Sequence, residues 1–154
     1  MDYVDGGGIV VMVSDFLNAV TIQLGTTFGS TYKYYVENVE QGLTKPCFTV
    51  DMLTPLERSK SAILYDRTMP LVVHFFNEKS KTSKMDAYKI AEQLVECLEY
   101  IPFKNTLIRG ENINWHMIED VLQLFITYRF TTKTDLPFET AMEDLNYINK
   151  SKLN

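Results

Sequence analysis

Cysteine is scarce in this 154-residue chain: Cys47 and Cys97 are the only two. Two thiols cannot build a disulfide scaffold, so both read as buried, reduced side chains in a fold held by its core. Histidine is as sparse, with His74 and His116 alone, and no CxxC, HxxxH or paired Cys/His cluster accompanies them. A structural zinc site needs close, convergent ligands, so no metal is expected. Positive charge is in deficit, with 15 Lys and Arg against 20 Asp and Glu. The net charge of −5 argues against a phosphate-gripping nucleic-acid surface. The one basic run, NEKSKTSK with Lys79, Lys81 and Lys84, reads as a solvated loop. Long apolar runs are missing too. Ile9–Val13 is too short for a signal peptide or a bilayer span, and acidic Asp2 and Asp5 stand where a basic leader would be. A cytosolic chain without a membrane partner is the expectation.

Reaction motifs are also wanting. The chain has no GxSxG turn and no HExxH helix. Gly6, Gly7 and Gly8 follow no strand, and no lysine comes after them at phosphate-loop spacing. Glu92, Glu96 and Glu99 fall on or near the wet face of a helix, with no opposing group to make acid/base machinery of them. Neither cysteine has the electropositive setting that activates a thiol. No catalytic residue, cofactor site or metal ligand is assigned, and an enzyme is not expected.

What the chain does have is a sizeable core: 45% of residues are hydrophobic and 23% charged, ordinary for one globular domain. Ile9, Met12, Val13, Phe16, Leu17, Val20 and Leu24 recur at helical steps, predicting a first helix ended by Gly25 and Gly29. TYKYYVE and CFTVDML alternate as strands of a sheet with one covered face. SAILYDRTMPLVVHFF is a third strand region in which Pro70 should mark a bulge, an open edge or a break. Ser83 and Asp86 form a capping box ahead of a second helix. Its apolar stripe is Ala87, Ile90, Ala91, Leu94, Leu98 and Ile101, with Pro102 closing it. Strands from about Thr106 to Met117 and Val121 to Thr131 follow, joined by a tight turn at Ile118–Val121. Gly110 should mark a bulge or a close backbone approach.

The tail carries Phe138, Ala141, Met142, Leu145 and Ile148 at the spacing of a short amphipathic helix. The expected architecture is α+β: a mostly antiparallel sheet with two main helices packed on one face and a short C-terminal arm. Its expected division is a flexible leader over 1–8, one domain over 9–132 and the arm over 133–154. Tyr35, Val72, Phe76 and Phe125 leave the second sheet face unusually apolar, which points to contact with other protein surfaces. A small enzyme or ligand-binding domain is the competing class, distinguished by a solitary particle with a pocket of converged titrating groups.

Several stretches, in order, resemble a known family. VEQGLTKPCF resembles the strand–loop–strand signature of the phage tail terminator family of Gram-positive phages and phage tail-like particles. LYDRTMPLVVHFF is similar to its tyrosine-x-arginine strand, AEQLVECLEYI to its second helix, LIRGENINWHMIEDVLQLFITYRF to its closing hairpin, and AMEDL to its terminal segment. Together these cover roughly residues 9 to 148. The hairpin has Glu119-Asp120-Val121 where members of the family often carry glycine after the aspartate.

The resemblance implies a subunit of a hexameric ring at the head-proximal end of the tail of a virion or headless bacteriocin, assembled in the bacterial host cytoplasm. Such a ring stops growth of the tail tube, and of the sheath where there is one, and offers a docking face to the neck protein. Another ring component of the neck is the alternative within that class. DNA passing through the ring would not be gripped, and negative charge lining the channel would help it slide. No catalysis and no cofactor is implied. The resemblance carries Glu40, Gln41, Gly42, Pro46, Cys47 and Phe48 in the loop, and Tyr65, Arg67 and His74 in the third strand. Gly42 would supply turn geometry and Pro46 would stiffen the start of the strand. Arg67 is the candidate for an ion pair between subunits, its planar fork suiting a carboxylate, with a plain surface arginine as the other reading. Glu40, Gln41, Gly42, Arg67, Phe138 and Met142 are the candidate interface residues.

Overall fold

A computed structural model describes residues 2–5, 13–37, 42–78 and 84–134. Within them the chain order is β1 (Asp2–Asp5), α1 (Val13–Phe28), β2 (Lys33–Val36), β3 (Cys47–Met52), β4 (Leu56–Ser59) and β5 (Leu64–Phe76). There follow α2 (Lys84–Leu98), β6 (Tyr100–Phe103), β7 (Thr106–Ile118) and β8 (Val121–Lys133). The parts of the first helix at 9–12, the cap Ser83, and the arm from 135 onward lie outside the described residues.

The α+β expectation is overturned. The chain is sheet-dominated, eight strands curling into a half-barrel that two helices fill. Segments read as leader and helix end are strands instead, and so is a stretch left unassigned. Asp2–Asp5 pairs in parallel with β8, Leu56–Ser59 pairs with β5, and Tyr100–Phe103 pairs with β7. The two helices do share one side of the sheet, because their buried residues join one core with the inward rows of β3, β5 and β8.

The spine is the β5–β8 pair, in register from Leu64↔Lys133 to Phe75↔Leu122. Alternation does the sorting, since successive side chains on a strand point to opposite faces. Met69, Leu71, Val73 and Phe75 of β5 meet Tyr128, Ile126, Leu124 and Leu122 of β8 on the inner face. Phe16 of α1 inserts there, with ring centroids 5.2 Å from Phe103, 5.1 Å from Tyr128 and 5.4 Å from Phe130. A second cluster surrounds Phe48, with Phe28 at 4.6 Å, Phe75 at 5.0 Å and Tyr32 at 5.3 Å.

Each spine strand has two partners in succession along its free edge, and all but the 13-residue β7 are short. β3 pairs with Leu71–Phe76 and β4 with Tyr65–Thr68 of β5, while β7 and then β1 take the far edge of β8. Pro70 sits at the seam between β3 and β4. Its ring neither bulges nor breaks β5, and it remains paired with Thr127 of β8. On the β3/β4 side its carbonyl accepts the Leu53 N–H at 2.8 Å, and its missing N–H falls where the neighbouring strand is interrupted.

Local signals explain the boundaries. α1 runs through Gly25 and ends at Gly29, whose φ is +82 and whose N–H reaches the Gly25 carbonyl at 2.9 Å. α2 stops at Leu98, three residues before Ile101, which is buried in β6 opposite Ile108. At the β7–β8 turn Glu119 and Asp120 both have positive φ, 50 and 65, the geometry of a two-residue type I′ hairpin. Gly110 is a close approach: a Cβ there would lie 2.8 Å from Ile126 Cγ1 and 3.1 Å from the Leu98 carbonyl oxygen. A bulge follows at once, between Glu111 and Asn114.

Candidate functional site

The described half of the signature loop, Gly42–Pro46, reaches the outer face of the sheet. Gly42 is exposed with φ +90, a conformation that suits a residue lacking Cβ. Thr44 N–H donates to the Tyr35 hydroxyl at 3.1 Å, and the Pro46 carbonyl accepts Lys33 N–H at 3.1 Å. Lys45 Nζ stands 5.9 Å from the centroid of the Phe76 ring. Cys47 and Thr49 are fully buried although they face outward. Phe48 points the other way, into the centre of the second aromatic cluster. Glu40 and Gln41 lie outside the described residues, as do Phe138 and Met142.

Strand register assembles an outer row that no sequence motif announced. Tyr35, Thr49, His74, Gln123 and His116 are consecutive cross-strand neighbours on β2, β3, β5, β8 and β7. Phe125 stacks on His116 with centroids 5.3 Å apart. Val72 and Phe76 flank His74 on β5, and Val72 is buried. His74 Nδ1 is 3.6 Å from Asp51 Oδ2, too long for a hydrogen bond. Burial lowers the His74 pKa and the Asp51 carboxylate pulls it partly back, so the ring is neutral at neutral pH. Neither His74 Nδ1 nor Thr49 Oγ1 has a hydrogen-bond partner among the described residues.

Arg67 belongs to a different place. It points to the inner side at the far end of the spine and is only 5% exposed. Its Nη2 donates to Glu57 Oε1 at 3.1 Å and its Nε to Thr132 Oγ1 at 3.1 Å. The fork therefore ties β4 to β5 and β8 within one chain. On the opposite face Thr131 Oγ1 donates to Asp66 Oδ1 at 2.8 Å, and Lys60 Nζ lies 3.5 Å from the same oxygen. Glu57 was the missed partner. Its spacing of ten residues from Arg67 across the polar KSA turn is the hairpin signal that could have found it.

Several hollows open on the surface, one of them beside Glu96 and Cys97. Another of about 330 Å³ is lined by Tyr32, Phe75, Asn77, Asp86, Lys89, Ile90 and Gln93. No group of three or more His, Cys, Asp or Glu that could hold a metal occurs among the described residues. Burial raises the pKa of both thiols, and Lys45 only partly offsets this at Cys47, so neither is an activated nucleophile. No helix of the described residues is long and apolar enough to cross a membrane.

A curled sheet with a filled inner face and an outer face dressed by a signature loop suits the class of structural subunits. The chain belongs to the phage tail terminator family: the family model for phage tail terminator protein matches residues 15–138. Its role is structural, in completion of a phage tail, among the other proteins of that tail in the virion. No curated protein matches the chain.

Proposed function

We propose that this subunit forms a ring, hexameric as the resemblance implies, that caps the head-proximal end of the tail tube. The ring halts tube growth, and sheath growth in a contractile tail, and presents a docking face to the neck protein. The family match carries this reading, because residues 15–138 take in strands β2 to β8, α2 and nearly all of α1. The exposed Gly42 turn, with Glu40 and Gln41 beside it, supplies one contact between neighbours. The half-exposed Glu57 carboxylate, fixed by Arg67, supplies an oriented acceptor at another. Acidic residues line the channel, so that DNA slides past without being held.

Light scattering on the purified protein, alone and mixed with tube protomer, tests the proposal. A sixfold mass and tubes that stop growing at fixed length are expected. A protein that stays monomeric while tubes elongate unchecked in its presence would overturn it.

A further inference from the structure

The outer face beyond the histidine row has no covering element among the described residues, yet it is apolar. Leu53 and Leu56 are 45% and 62% exposed, and they stand beside Pro70, Val72 and Phe125 on the same side of the sheet. Toward the end of the spine this face turns basic. By register Arg58, Arg129 and Lys133 lie on it, with Lys60 at its rim. Asp66, opposite Arg58 in register, and Glu111 are engaged by Lys60 and Arg129, and Asp5 of β1 stands in register beside Lys133, so the basic residues outnumber the acidic ones by one. The surface therefore asks for an apolar cover with negative charge.

The chain supplies one. Twenty residues follow Thr134, and those from 135 to 148 contain Asp135, Glu139, Glu143 and Asp144 with no lysine or arginine. Phe138, Met142, Leu145 and Ile148 share one stripe at three- and four-residue spacing, leaving the carboxylates on the others. We propose that this acidic C-terminal segment seats on the outer face of its own subunit, apolar stripe against Leu56, Pro70 and Phe125, carboxylates toward Arg58, Arg129 and Lys133.

Length and tether both favour the same chain. From Thr134 back to Phe125 is about 30 Å along the strand. With 135–137 extended and the stripe helical over 138–148 the segment would reach about 26 Å, which together with its side chains spans that distance. The segment starts two residues beyond Lys133, so its local concentration at this face is in the millimolar range, above any that a second free copy attains. The seat is a property of the single subunit and stands apart from ring formation.

A disulfide trap in the full-length protein tests it. Ile148→Cys is combined with Thr127→Cys on the face, with Met142→Cys and Arg129→Cys as a second pair should the first not fold. Asn18→Cys, exposed on α1, serves as the control. An equal mixture of ¹⁴N- and ¹⁵N-labelled protein is oxidised as monomer and mapped by mass spectrometry. Same-label cross-links at least tenfold faster at the face than at the control, and slowed by salt, are expected. Mixed-label cross-links would assign the seat to a second copy and overturn the proposal, as would equal rates at face and control. Ring mass is measured separately, so either idea can fail alone.

Discussion

Replacing Gly110 by alanine probes how tightly α2 is held against the sheet. The added Cβ would lie 2.8 Å from Ile126 Cγ1 and 3.1 Å from the Leu98 carbonyl oxygen, well inside ordinary contact. Neither neighbour yields freely. Ile126 is 1% exposed and lies in the spine, and the Leu98 carbonyl is fixed by the Tyr128 hydroxyl at 2.6 Å. Gly110 N–H itself donates to the Glu99 carbonyl at 2.7 Å, so the methyl would pry at the end of α2. Overpacking of this kind costs about 1–3 kcal/mol. The alanine returns about 0.4–1 kcal/mol through a less free unfolded chain. A net loss of about 1.5 kcal/mol follows, which lowers Tm by about 3–6 °C at this size. Urea and thermal melts followed by circular dichroism measure it. Ile126→Val removes Cδ1, the atom the new Cβ would meet first, so the double variant must lose less than the two single losses added together. A loss under about 0.5 kcal/mol, or strict additivity, would refute the clamp.

Three further outcomes are expected. Tyr128→Phe strands a buried carbonyl at Leu98 and costs about 1–3 kcal/mol, read from the urea midpoint. Glu119→Asn with Asp120→Gly fits both left-handed turn positions and raises stability by about 0.5–1 kcal/mol, seen as a higher Tm; no gain would mean the turn is unstrained. The folded pKa of His74 lies below its unfolded value, so its contribution is intact above about pH 6.5 and is lost on acidification through the folded value. His74→Gln should therefore flatten the fall of stability between pH 7 and pH 5, and an unchanged slope in denaturant titrations would exclude His74 as its source.

The long periodic segments were legible because one face of each is buried. β3 matches its predicted span to within one residue, and the β7–β8 hairpin was placed to within two, turn included. The short strands were not legible. Leu56–Ser59 is exposed throughout, so no burial pattern marks it, and only its pairing with β5 makes it a strand. Ile101 fits the helical stripe of α2 as well as it fits β6, since an apolar residue two or three positions past a helix can satisfy either period. Of the bulge, open edge or break expected at Pro70, neither bulge nor break occurs in β5; the strand is open there only locally, where β3 gives way to β4, which a single sequence does not show. The outer row was invisible for the same reason: its five members come from five strands, and only register lines them up. Arg67 was visible as a fork seeking a carboxylate, whereas the Glu57 that satisfies it within the chain required the overlooked β4.

The seam at Pro70 also bears on how this chain can vary. Because the proline offers no hydrogen to the gap between β3 and β4, lengthening the connection at Leu53–Pro55 would forfeit little of the ladder. Relatives should therefore gain and shed residues at that point while the spine keeps its alignment, making it the natural site for grafting a peptide tag onto an otherwise unaltered subunit.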